Sequence, residues 1–200
     1  MRLFSLRYLA AVAAAVFAGA VHAGPIPYPS AGTENPALYN FTATTTGHLT
    51  AYFSGSGGAS FVNELTMLIN GAPSALQGLN NHSVAYGAAF DFGPVRAGDA
   101  IVLEMVNLSP GNIGPWYSDK ARNSDGANHV YATDFAGDTA VPAGTFVGFE
   151  DMPVPGADLN YHDATFVFTN LSVSSVPEPQ AWSLMLAGIA LTMLKARKRA

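Results

Sequence analysis

Within fourteen positions, residues 150–163 gather Glu150, Asp151, Asp158, Asn160 and Asp163. So many oxygen-bearing side chains, in a body poor in bases, repel one another unless a cation or a dense set of backbone N–H groups intervenes. Calcium is the simplest such cation. It takes six to eight oxygens, and the spacing of Asp158 and Asn160 turns two side chains toward one point. Glu150 and Asp151 complete the set across a hairpin, with Asp125 or backbone carbonyls as further ligands, at an expected dissociation constant of about 10⁻⁴ to 10⁻³ M. The same residues suit a local role, in which Asp158, Asn160 and Asp163 form Asx turns and bond loop N–H groups. Hydrolysis is a third chemistry. Glu150 and Asp163 would serve as paired carboxylates on a polysaccharide if they stood about 5 to 9.5 Å apart, with His129 or His162 as a general base. Zinc is disfavoured because His48, His82, His129 and His162 supply no close pair at a ligand spacing. The absence of cysteine excludes a thiolate nucleophile, a thiolate metal site and a disulfide framework.

The elements that must position these groups read as strands. Short runs rich in Val, Phe, Tyr and Thr cover residues 39–45, 48–54, 64–70, 83–92, 99–107, 129–133, 145–150 and 163–173. Turn chemistry separates them at 55–58, 70–71, 96–99 and 109–112, and no amphipathic helix of ordinary length lies between. This pattern predicts an all-β body, an antiparallel β-sandwich of jelly-roll or immunoglobulin-like kind. Alternation places Leu65, Met67, Ile69, Ile101, Leu103, Met105, Phe166 and Phe168 inward, and Glu64, Thr66, Glu104 and Thr165 toward water. Residues 109–127 form the longest irregular stretch, where Trp116 and Tyr117 are candidates for stacking on a sugar. A solvated loop with one packed tryptophan is the plainer reading. Asn40, Asn81, Asn107 and Asn170 fit the glycosylation acceptor pattern and read here as polar strand ends.

The two ends differ from the body. Arg2 and Arg7 precede an apolar run from 8 to 20, and Val21-His22-Ala23 offers small residues where a signal peptidase reads, so residues 1–23 are expected to be a cleaved signal helix. Residues 24–37 are a proline-rich linker and 38–175 the sandwich domain. Residues 176–200 carry Pro177-Glu178-Pro179, a fourteen-residue apolar run from 181 to 194, and a basic cluster of Lys195, Arg197, Lys198 and Arg199. As a helix the run spans about 21 Å, shorter than a bilayer's hydrocarbon core, yet Trp182 and the basic cluster suit its two interfaces. Without the ends, residues 24–176 hold thirteen acids against three bases, a net charge of −10. Such a surface excludes nucleic acid, which needs Lys and Arg to displace counterions.

The tail resembles the PEP-CTERM sorting signal of exopolysaccharide-producing Gram-negative bacteria, with tripeptide, apolar helix and basic cluster in order. The resemblance implies recognition of Pro177, Glu178 and Pro179 by an exosortase, transient membrane anchoring, and delivery to the cell surface. The body resembles the bacterial domain-of-unknown-function family numbered 4114. Phe92-Gly93-Pro94 with Ala97-Gly98, the run 123–130, Gly148-Phe149-Glu150-Asp151 and the run 158–163 carry that resemblance, with Asn160 and His162 where the family has Asp and Asn. Together these readings predict an exported structural or adhesive protein of the envelope or exopolysaccharide matrix, stabilised by calcium and not an enzyme. The alternatives are a carbohydrate-binding module using Trp116 and Tyr117, and a polysaccharide hydrolase using the paired carboxylates.

Overall fold

The computed structural model describes residues 25–176 apart from 60 and 112. The expected signal helix, the hydrophobic helix and Pro177-Glu178-Pro179 lie outside the described residues. The body is all-β, built from two antiparallel sheets. The strands in chain order are β1 (Leu38–Ala43), β2 (Gly47–Gly55), β3 (Asn63–Ile69), β4 (Ala72–Pro73), β5 (Ala89–Val95), β6 (Ala100–Asn107), β7 (Trp116–Tyr117), β8 (Val130–Phe135), β9 (Gly144–Phe149), β10 (Ala164–Thr169) and β11 (Leu171–Val176). A 3-10 turn at Lys120–Arg122 follows β7. One sheet runs β11-β1-β6-β3-β4 with β7 beside β6, and the other runs β5-β2-β10-β9-β8.

Both sheets contribute to one core. Phe41, Leu65, Met67, Ile101, Leu103 and Met105 come from the first, and Leu49, Phe53, Val147, Phe149, Phe166 and Phe168 from the second. The period-2 alternation therefore places its inward residues as expected, with Ile69 partly buried at the margin. Two of the four outward positions are corrected. Thr66 and Thr165 are buried: Thr66 Oγ1 donates to the Leu76 carbonyl, in the segment after β4, and Thr165 Oγ1 to that of Gly55, its ladder partner on β2.

Two strand boundaries also move. The expected strand at 83–92 begins only at Ala89, since the carbonyl of Asn80 accepts from Ser83 and Val84 and winds that stretch into turns. The run 163–173 is two strands in different sheets. At Asn170 the backbone enters the left-handed region (φ 61°), which Asn tolerates better than most residues. Its side chain fixes the corner, accepting from Thr44 Oγ1, Thr45 N and Thr45 Oγ1 and donating to the carbonyls of Thr45 and His48.

Candidate functional site

The hairpin joining β9 to β10 carries acids at both sides of its neck. Ala164 pairs with Phe149 in register, and Asp163 N–H donates to the Phe149 carbonyl, so Glu150 and Asp163 are brought side by side where the strands part. Gly148 is required just below. A Cβ there would collide with the carbonyl oxygen of Tyr161, whose backbone folds back onto the strand. Glu150, Asp151 and Asp163 are 1%, 3% and 9% exposed, and each presents a carboxylate oxygen within 4.8 Å of the others.

Few donors answer these oxygens. Asp163 Oδ2 accepts from Asp151 N–H at 3.0 Å, and Asp151 Oδ2 from Asn63 Nδ2 at 2.8 Å. Glu150 Oε1 has only a long bond of 3.4 Å from Met152 N–H, and Glu150 Oε2 is buried with no partner. The electrostatic consequence is marked. Burial, followed by the charges of Asp163 and Asp158, pushes the Glu150 carboxyl up to about 8. Burial and Asp163 push Asp151 up to about 6 against the opposing bond from Asn63. No Lys or Arg is among the groups that act on either.

The backbone around the acids is held from three directions. The carbonyl of Glu150 accepts from His129 Nδ1 at 3.0 Å, that of Asp151 from Trp116 Nε1 at 2.9 Å, and that of Asp163 from Asn81 Nδ2 at 3.5 Å. Asn81 Oδ1 also accepts from Asn63 N–H, so the start of β3 in the first sheet is tied to the hairpin neck of the second. Trp116 and His129 stack at 3.8 Å with their planes 8° apart. Beyond them, His129 Nε2 meets Asp125 Oδ2 at 3.0 Å. Burial would raise the Asp125 carboxyl, but the N–H groups of Val154 and Ala127 and the His129 ring together hold it below the usual range.

The structure thus brings Glu150, Asp151 and Asp163 together and leaves the other expected ligands outside. Asp158 is exposed, and its two oxygens accept from the N–H and Nδ2 of Asn160, whose own Oδ1 accepts from His162 N–H. Those two residues form turns, the local role read as the alternative. Asp125 is engaged by His129 and loop N–H groups. Trp116 is corrected as a sugar platform: it is 1% exposed, with one face on His129 and its N–H used. Tyr117 is half-buried and donates to Glu104. His129 is fully buried with both nitrogens occupied, which removes it as a base, and His162 lies against Gly57 and Tyr28.

Asn63, Asn81, Asn123 and Asn128 are the positioning residues that the sequence reading missed. Asn123 closes the stretch after β7 by accepting from Tyr117 N–H and donating to the carbonyls of Tyr117 and Ala127. Asn128 donates to the carbonyls of Asn35 and Ala37. Asn81 carried a signal through its acceptor tripeptide, Asn123 and Asn128 lay within the run 123–130, and Asn63 carried none. Compared with known proteins, the chain matches no family model, and neither a curated protein nor a solved structure resembles it significantly.

Proposed function

We propose that the protein is a non-catalytic β-sandwich of the cell envelope or exopolysaccharide matrix, exported with a cleaved signal and sorted through its C-terminal tail by an exosortase. The observation that carries the non-catalytic part is the burial of Glu150 and Asp163, the carboxylates read as the hydrolytic pair. Both are almost fully covered, which argues against their meeting a polysaccharide as a catalytic pair. Their burial disfavours access by a polysaccharide, and the hydrogen-bonded hairpin neck suits a load-bearing or adhesive module. The chain's repeated crossing between two sheets favours the jelly-roll form over the immunoglobulin-like one.

The sorting part rests on the tail's three ordered features. Replacing Pro177, Glu178 and Pro179 by alanine in the host should leave the tailed precursor in the membrane fraction; processing at the normal rate would sink the exosortase reading. For the non-catalytic part, release of reducing ends from the host's polysaccharide, abolished by Glu150→Gln, would restore the hydrolase.

One observation favours carbohydrate binding as a second reading. A groove of about 810 Å³ runs where β1 and β6 diverge toward the 3-10 turn, its wall mixing Tyr39 and Val102 with Asn40, Thr42 and Asp119. Unchanged retention of Tyr39→Ala on an affinity gel of that polysaccharide would exclude the groove as the binding face.

A further inference from the structure

We infer that the hairpin neck is a site for a hard divalent cation, calcium by its chemistry, with Glu150, Asp151 and Asp163 as the protein ligands and Asn63 linking it to the opposite sheet. The inference stands on the geometry of the neck and holds whatever the protein's final location. Three carboxylates presenting oxygens within 4.8 Å of one another can all touch one ion whose bonds are about 2.3 to 2.6 Å long, the range of calcium. Beyond the clustering, Glu150 Oε2 is buried with no hydrogen-bond partner among the described residues. A buried carboxylate oxygen left without a partner is costly, and a cation is the partner that satisfies three such groups together.

The donor set selects the metal. All three ligands are hard oxygens, and among the described residues no histidine joins the cluster, which disfavours zinc and copper. Magnesium binds shorter, near 2.1 Å, and demands a near-ideal octahedron, whereas calcium accepts the irregular set that three carboxylates from a hairpin neck present. The surrounding bonds are those of a prepared site. Imidazole, indole and amide donors from three separate segments pin the three ligand-bearing backbones, and such outer bonds fix ligand direction before the ion arrives. Because Asn63 bonds Asp151 and pairs through Asn81 with the Asp163 carbonyl, an ion at the neck ties the start of β3 to the β9–β10 hairpin.

Terbium tests this, since it takes calcium's oxygen ligands and is sensitised by a nearby indole. Trp116, bonded to the Asp151 carbonyl, is the adjacent antenna. The full chain, stripped of metal with chelator and kept in mild detergent, is titrated with Tb³⁺ under tryptophan excitation, and its melting midpoint is followed with calcium and with magnesium. The expected result is sensitised emission that calcium displaces, and a midpoint raised by roughly 5–10 °C at calcium about 100 times its dissociation constant. Both effects should disappear in Glu150→Gln, Asp151→Asn and Asp163→Asn and persist in Asp158→Asn. The amide variants keep shape while removing charge, so a midpoint in chelator at or above that of the unaltered chain certifies their fold. Absence of emission and shift, or their survival in the amide variants, overturns the site; an equal shift with magnesium overturns the assignment to calcium.

Discussion

The buried carboxyl of Glu150 makes stability fall as pH rises, and one substitution isolates the effect. In the folded chain this group holds its proton up to about pH 8, whereas an ordinary glutamate releases it near 4.5. Between those values the folded state binds more protons than the unfolded one, so the stabilising contribution is complete below the unfolded value and is lost as pH climbs through the folded one. Asp151 adds to the loss up to about pH 6, above which Glu150 acts alone. One proton's difference amounts to about 1.4 kcal/mol per pH unit. From about pH 6 to about pH 8 the metal-free protein should therefore lose on the order of 2 kcal/mol, or about 4–8 °C of melting midpoint for a domain of this size. Glu150→Gln keeps the shape of the protonated acid and cannot ionise. In chelator its stability should be flatter over this window by that amount, as read by urea unfolding at each pH, with histidine contributions cancelling between the two chains. Equal slopes, or a stability that climbs more steeply in the unaltered chain, would refute the argument that the carboxyl is buried without a partner.

Two further substitutions probe the frame around the neck. Trp116→Ala removes a fully buried indole, its stack on His129 and its bond to Asp151, and should cost about 3–5 kcal/mol by urea unfolding; a loss below about 1 kcal/mol would mean that the indole is not packed as described. Asn170→Ala loses the bonds that fix the corner between β10 and β11 and forces alanine to a positive φ, whereas Asn170→Gly loses the bonds alone. Alanine should be the worse by roughly 1 kcal/mol, and equal midpoints would show that the backbone does not hold that conformation.

Much of the fold was legible because its periodicity is simple. Leu65 and Met67 on β3, and Ile101, Leu103 and Met105 on β6, alternate cleanly, and their burial follows from the pleat. The split at Asn170 was hidden because β10 and β11 are both rich in apolar and hydroxyl residues, and one asparagine within the run 163–173 reads as an interruption of a strand rather than a change of sheet. The pairs forming β4 and β7 are too short to carry a period. At the site, the acids at the two ends of the hairpin were recognisable from their types, while their partners were not. Asn63 lies 88 positions from Asp151, and only the pairing of β3 with β6, which fixes the first sheet, brings its amide to the hairpin neck. Trp116 was read two ways, and the packed tryptophan is the one the structure bears out; its stack on His129, thirteen residues away, and its bond to the Asp151 carbonyl had no sequence signal.

The border position of β11 has a mechanical consequence. This strand joins the first sheet through β1 alone, in a ladder of six pairs from Leu38↔Val176 to Ala43↔Leu171. Tension applied at residue 176 bears on the Leu38 pair first, so the ladder opens by peeling, one rung after another, instead of shearing as a block. The last rung is backed by Thr145, whose hydroxyl donates to the Leu171 carbonyl from the other sheet. A body held by that end would yield as far as Leu171 under modest force and then stop, with the hairpin neck and the shared core still intact, giving the attachment a few residues of compliance before the load reaches the interior.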